Sequence, residues 1–349
     1  INSITPSAGK VDAIRIASEI AGIPRSIMSS ADFSASFRQG LFLAPRHPIL
    51  FAKAFIKQFK PAFSEKAFVK LNEDIMSDPF YSLVPKSKLA LTEIGSNLAK
   101  REEAFMSSWI EKVPIVGQIV RGSNRAYVSM LNKFRFDVFK SMVKDAQKIG
   151  RNPVTNPELL QNMAGFINTA TGRGGLGKLE SSAMPLASAL FSPRLIASRL
   201  SLLNPVYYWK LDPFVRKEAL KSLFAFASVG TTILALASTM GAEVETDFSS
   251  SDVGKIKIGR TRIDIWGGFQ QYVRLAGQLI TGQKKSTTTG IVSKLGEEYG
   301  APTRFDVLTG FIAGKTAPLT SYIVDWMKGT DFEGEKFDPA SSAWKRMIP

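Results

Sequence analysis

The sequence contains no cysteine and only one histidine, His47, among its 349 residues. The absence of cysteine excludes disulfides, thiolate zinc sites and cysteine nucleophiles. A histidine-based catalytic triad or a multi-histidine metal centre would depend on His47 alone, which lies between two prolines in the string APRHP and is interpreted as an exposed loop residue. We therefore expect no bound metal or cofactor and no enzymatic activity in this chain.

Acidic residues are also scarce, since 45 lysines and arginines face 30 aspartates and glutamates, for a net charge of +15. About two thirds of this excess lies before Gly174. Such an imbalance favours a polyanionic partner, either nucleic acid or an anionic membrane surface. An alternative is that the chain is one basic piece of a longer polypeptide, which its start without methionine and without a secretory signal makes plausible.

The string TGRGGLGKLE at 171–180 resembles a phosphate-binding loop but lacks two of its requirements. The hydroxyl residue that should follow Lys178 is replaced by Leu179, so the ligand for magnesium is missing. The segment before it has apolar residues three or four apart, which predicts a helix where a phosphate-binding loop needs a strand. The glycines are therefore interpreted as a helix stop and a turn, with no nucleotide bound.

Helical spacing dominates the first half of the chain. Helices are predicted at 11–22, 47–60, 64–77 and 124–149, the second with lysines opposite its apolar face and the third beginning at a serine cap. The basic amphipathic helix at 47–60 suits the core of the protein, a partner helix or a membrane surface.

An uncharged segment of 21 residues, SLFAFASVGTTILALASTMGA, runs from 222 to 242. It is long enough to cross a bilayer, with basic residues before it and acidic residues after it, but its many small residues also suit a buried helix. In a soluble form it should be covered by neighbouring subunits or by the predicted helical stretches 269–282 and 305–329. The residues assigned to membrane or ring packing are Leu223, Phe224, Phe226, Val229, Ile233, Leu234 and Leu236.

The string KIKIGRTRID changes to a period of two, which predicts an antiparallel hairpin at about 255–265 with Gly259-Arg260 as its turn. Ile256 then faces Ile263, and Lys257 faces Arg262. The two facing cations indicate either a nearby anion or a solvated outer face. The string QKKSTTTG after the next helix is predicted to be a polar loop.

These patterns predict a mainly α fold with one short antiparallel hairpin, a helical basic region at 1–170 and a second helical region at 171–349. FINTATGRGGLGKLE, ALFSPRLIASRL and the hairpin segment through QKKSTTTG resemble the large polyvalent protein-associated domains of very long bacteriophage proteins. SSADFSASFRQGLFLAPRHP and PIVGQIVRGSNRAYVSMLNKFRFDVF resemble the helical segment that precedes this domain in such proteins.

The resemblance implies an internal virion protein, packaged near the portal and ejected with the genome to help form a DNA conduit across the host envelope. Its partners would be itself, other portal or core proteins, double-stranded DNA and the host inner membrane. Candidate phosphate contacts are Arg194, Arg199, Lys257, Arg260 and Arg262, although Arg194 and Arg199 also suit structural pairing. One alternative is a module that only organises packaged DNA, and another is part of a polyvalent enzyme with a peptidoglycan-cleaving domain elsewhere in the chain. A third is a peptidoglycan-cleaving activity of this segment itself, whose acid could be Glu102, Glu103 or Glu158.

Overall fold

The computed structural model describes residues 38–92, 116–182, 192–297 and 301–316, together with 186, 190, 325–327, 329 and 338. Its α-helices are α1 Pro48–Lys57, α2 Phe59–Phe63, α3 Glu65–Met76, α4 Val84–Ser87, α5 Val116–Lys148, α6 Pro157–Ala170, α7 Pro193–Leu203, α8 Pro205–Trp209, α9 Pro213–Thr239, α10 Gln270–Thr281 and α11 Arg304–Ala313. Two 3-10 helices lie at Pro79–Leu83 and Gly177–Ser182. The strands are β1 Glu243–Val244, β2 Lys255–Ile258, β3 Thr261–Asp264, β4 Gln283–Lys285 and β5 Val292–Lys294. The predicted mainly α fold is confirmed.

Helix α5 is the central element, and it packs against α1, α2, α3 and α6. Phe134, Val138 and Met142 repeat at helical spacing on its buried side, so the apolar face that the sequence predicts is core. The helix begins earlier than predicted, at Val116, and within its first turns Gly122 lets α2 approach closely. A Cβ at Gly122 would overlap the carbonyl oxygen of Ala62.

A buried arginine joins α5 to the end of α6. Arg135 is fully buried, and its guanidinium donates to the Thr171 hydroxyl at 2.7 Å, to the Thr171 carbonyl at 3.0 Å and to the Ala90 carbonyl at 3.0 Å. These hydrogen bonds offset the cost of burying the charge. The hydrophobic core runs without a break from Phe42 to Phe269, across the domain boundary proposed at residue 170, and that boundary stays a prediction.

Helix α9 starts at a strong cap. The Asp212 carboxylate accepts a hydrogen bond from the Phe214 backbone N–H at 2.9 Å and binds both terminal nitrogens of Arg151 at 2.6 and 2.9 Å. The Arg151 hydrogen bond, against the opposing effect of partial burial, holds the pKa of Asp212 below its ordinary value. Proline at the first helical position and a carboxylate at the positive helix end both favour this start.

The predicted hairpin is present with the predicted register, since β2 pairs antiparallel with β3 through Lys255–Asp264, Ile256–Ile263, Lys257–Arg262 and Ile258–Thr261. The structure adds β1 at the outer edge of β2 and a second antiparallel pair, β4 with β5. The prediction of a polar loop after α10 is therefore wrong in part, because its first residues form β4.

Two predicted helices differ from the structure in extent. The helical stretch predicted at 305–329 is represented by α11, which ends at Ala313 before Gly314, and residues 317–324 lie outside the described residues. The helix predicted at 11–22 also lies outside them. The helix predicted at 47–60 is divided into α1 and α2 at Gln58.

Candidate functional site

The second half of α9 exposes an apolar stripe. Val229, Ile233, Leu236 and Met240 follow one another at steps of four, three and four residues, which places them on one face. Their exposed fractions are 45%, 41%, 57% and 86%. The helix contains an 18-residue window with a mean hydropathy of 1.6, of which only 22% is buried. The described residues therefore leave uncovered a stripe that the sequence analysis expected to be covered.

The exposed polar residues of the same half-helix all carry hydroxyl groups, and two of them, Thr231 and Ser238, lie opposite the stripe by helical spacing. None of them is charged, and the other three, Ser228, Thr232 and Thr239, lie between that face and the stripe. A third side of α9 contacts β1 and β2. The half-helix is thus amphipathic, with one face against the sheet, one polar and one apolar.

The first half of α9 is anchored in the core. The Phe226 ring is 8% exposed, and its centroid lies 5.6 Å from that of Phe42 and 5.2 Å from that of Phe269. Gly230 lies directly against the Trp266 ring, which a Cβ there would overlap. The assignment of Phe226 to membrane or ring packing is wrong in this structure, because its ring fills the core.

Among the other residues assigned to that surface, Leu223 and Leu234 are half-buried. Phe224 is 67% exposed, but helical spacing places it away from the apolar stripe. Of the seven predicted residues, the stripe keeps Val229, Ile233 and Leu236, and the structure adds Met240.

Charged residues close both ends of the uncharged segment, and most of them are paired. Before it, Lys221 contacts Glu218 at 2.6 Å. After it, Glu243 contacts Lys257 at 2.7 Å and Glu245 contacts Lys285 at 2.7 Å. These ion pairs reduce the net charge that would have to approach a lipid surface beside the stripe.

The hairpin cations predicted to bind phosphate already have carboxylate partners. Lys257 contacts Glu243, and Arg262 contacts Asp252. Burial opposes the shift, but hydrogen bonds from Lys255 and Arg262 hold the pKa of Asp252 below its ordinary value. The facing cations Lys257 and Arg262 are thus neutralised by neighbours. Arg260 is exposed at the turn and stays a candidate for phosphate binding.

The two arginines of α7 take structural roles. Arg194 binds Glu180 at 2.5 Å. Arg199 is 2% exposed, donates to the carbonyls of Arg38 and Gly267, and lies 4.0 Å from the centroid of the Phe269 ring. Desolvation lowers the pKa of its guanidinium to about 10. The predicted phosphate contact is wrong for Arg199, because its charge is buried against backbone carbonyls and an aromatic ring.

The glycine-rich turn follows α6, and its amides are already engaged. The Gly174 N–H donates to the Ser198 hydroxyl at 2.8 Å, and the Leu176 N–H donates to the Glu180 carboxylate at 3.0 Å. A phosphate would have to displace both acceptors and would meet the negative charge of Glu180. This geometry supports the prediction that no nucleotide binds at 172–178.

A cavity of about 830 Å³ lies beside that turn, and Glu158, the candidate lytic acid, lines it. A second carboxylate at its wall, Glu180, is bound by Arg194, whose hydrogen bond holds the pKa of Glu180 below its ordinary value. Glu180 is therefore an anion and unsuited to general-acid catalysis at neutral pH. Glu102 and Glu103 lie outside the described residues.

Among the residues that the structure describes, no group of three or more histidine, cysteine, aspartate or glutamate side chains is arranged to hold a metal ion. No protein-family model, curated protein or solved structure matches the chain.

Proposed function

We propose that the chain is a non-enzymatic internal protein of a bacteriophage virion, delivered with the genome, which contacts the host membrane through α9 and helps conduct DNA across the envelope. The observation that carries this proposal is the exposed apolar stripe on the second half of α9. The sequence resemblance to phage proteins supports the virion origin. The net charge of +15 supports contact with DNA, because a cationic protein is attracted to a polyanion.

A bilayer suits the stripe for energetic reasons. Its side chains are between 41% and 86% exposed and would each gain roughly 1–2 kcal/mol on leaving water, so four of them contribute several kcal/mol. The half-helix has no charged residue to desolvate. Its opposite face carries hydroxyl groups that can remain at the lipid headgroups.

The geometry favours a helix lying in the membrane interface. The exposed residues from 228 to 240 span about 20 Å at 1.5 Å per residue, which is less than the ~30 Å of a hydrocarbon core. The sheet β1–β3 follows the helix and packs on its side, so α9 cannot enter end-on in this conformation. Full spanning would require Phe226 and Gly230 to leave the core.

The absence of cysteine is consistent with delivery together with the genome, because no disulfide opposes partial unfolding in a narrow tail.

A second candidate function, a module that organises packaged DNA without touching a membrane, is favoured by the net charge alone. The two functions differ in their response to salt, because DNA binding weakens steeply with ionic strength and insertion of an uncharged stripe does not.

The test is flotation of the purified protein with phosphatidylethanolamine–phosphatidylglycerol vesicles, at low salt and at about 1 M salt, where the Debye length is ~3 Å. Association that persists at high salt, with release of an encapsulated dye, is expected. Association lost at high salt would leave only electrostatic attraction. A dimer or ring in solution with no flotation would assign the stripe to a second copy. Mass spectrometry of purified virions tests the origin separately.

A further inference from the structure

A basic groove lies apart from the α9 stripe, and none of the residues predicted to bind phosphate lines it. It lies between α1 and α5, has a volume of about 700 Å³, and Asp137 is the only acidic residue among those that line it. The cations at its walls are Arg46, Lys53, Lys57, Lys133, Lys140 and Lys144. We call this feature the α1–α5 groove.

Helical spacing explains why the cations converge. Lys53 and Lys57 are one turn apart on α1, while Lys133, Lys140 and Lys144 follow each other on α5 at steps of seven and four residues. The Phe51 ring packs edge-on against Phe134 at 5.4 Å and holds the two helices together. Two rows of lysines therefore face one groove.

Three of these cations are neutralised by carboxylates. Lys133 contacts Asp137 at 2.5 Å, Lys140 contacts Asp78, and Arg46 contacts Glu218 at 3.0 Å.

The other three, Lys53, Lys57 and Lys144, are exposed and make no ion pair with a described residue. The Lys144 ammonium lies 5.5 Å from the centroid of the Phe80 ring, which positions it by a cation–π contact. Three ammonium groups that have no carboxylate partner in the described parts of the chain therefore remain around one concave surface.

His47 lines the groove but adds no charge near neutral pH. Its burial, and then the neighbouring Arg46, lower the pKa of its imidazole to about 4, although Glu218 and Asp145 act in the opposite direction. The positive charge of the groove therefore comes from its lysines.

We propose that the α1–α5 groove binds the phosphodiester backbone of DNA without regard to base sequence. Lysines one helical turn apart, about 6 Å along the axis, can contact neighbouring phosphates of one strand. Lysine ammonium groups bind phosphate as point charges and do not read base edges in a bidentate manner. The choice of DNA rests on the proposed function.

The shape of the groove favours a strand over a membrane. Lysines on two walls of a concave groove can surround a chain of phosphates, whereas a planar bilayer would meet only the rims of those walls. The α9 stripe, which is apolar, exposed and uncharged, is the better surface for lipid. The two surfaces thus divide the binding of DNA and of lipid between different parts of the molecule.

The test compares two triple variants of the whole chain. The groove variant carries Lys53→Gln, Lys57→Gln and Lys144→Gln, which together remove its three ammonium groups without a described carboxylate partner. The control, Lys66→Gln, Lys70→Gln and Lys86→Gln, removes the same charge from exposed lysines outside it, two of them also one turn apart on a helix. Binding of a labelled random-sequence duplex is measured by anisotropy against salt, with circular dichroism to establish that each variant is folded.

The groove variant should lower the slope of log K against log salt by about 2–3, since each lost phosphate contact removes ~0.9. The control should keep the wild-type slope. Equal losses in both variants, or no loss in either, would overturn the proposal, and so would a groove variant that loses vesicle flotation while keeping DNA binding. Flotation failing in the wild type with groove-dependent DNA binding intact would instead overturn only the proposed membrane function.

Discussion

Replacing Leu236 by aspartate separates membrane binding from folding. Leu236 is 57% exposed on the apolar stripe. Burying its exposed part in lipid contributes about 1–2 kcal/mol, and dehydrating a carboxylate there adds to the loss, up to the ~3 kcal/mol found at a bilayer centre. Vesicle partitioning of Leu236→Asp should therefore fall by a factor of roughly 30–150, equivalent to about 2–3 kcal/mol.

Folding should change little, because surface substitutions usually shift the free energy of unfolding within about 0.5 kcal/mol and an acid near a helix C-terminus costs at most ~1 kcal/mol. Leu200→Asp is the matched control, since Leu200 is 53% exposed and also lies three residues before the last residue of its helix. It should leave both flotation and stability unchanged. Unfolding of Leu236→Asp, or flotation equal to wild type, would refute the reasoning.

Three further outcomes are expected. Gly230→Ala should destabilise the fold by about 1–3 kcal/mol, because the added methyl group overlaps Trp266. The control Gly310→Ala, in an open helical site, should stabilise the fold by up to ~1 kcal/mol. Equal effects of the two substitutions in thermal melts would contradict the packing of Gly230 on Trp266. The folded pKa of His47 is about 4 against 6.5 in the unfolded chain, so its stabilising contribution is complete above pH 6.5 and is lost as pH falls towards 4. His47→Gln should flatten the pH dependence of urea unfolding in that window, and an unchanged slope would contradict the burial. Lys178→Ala should retain DNA and vesicle binding, and loss of either would reopen the glycine turn as a site.

The hairpin was predictable to the residue because its information is local. Alternation of isoleucines with cations from Lys255 to Asp264 and a glycine at the turn define one register, and a slip by one residue would exchange the two faces. The cap of α3 was local too, since Ser64 accepts a hydrogen bond from the Ala67 N–H.

The structural roles of the arginines in α7 depend on contacts between distant parts of the chain. The backbone carbonyls that bury Arg199 belong to Arg38 and Gly267, and no spacing within α7 indicates them. One signal was present, because Arg199 precedes the buried Leu202 by three residues and so shares its face. The α1–α5 groove could be predicted only in part. Both lysine rows can be recognised in the sequence, but the packing of α1 on α5 cannot.

The surface that packs against α9 could not be predicted, because the composition of a helix does not specify which elements it contacts. An uncharged helix is equally compatible with a protein core, a subunit interface and a bilayer. The structure divides it, with Phe226 and Gly230 in the core and the stripe from Val229 to Met240 exposed.

The most direct test of the membrane assignment is the depth of the stripe in a bilayer. Because the chain has no cysteine, Leu236→Cys and the control Leu200→Cys each give one site for an environment-sensitive fluorophore. Quenching by lipids labelled along the acyl chain, and by aqueous iodide, is then compared on vesicles. The label at 236 should be quenched by shallow acyl-chain labels, about 5–10 Å below the headgroups, and should be shielded from iodide. Iodide quenching at 236 equal to that at 200 would contradict it.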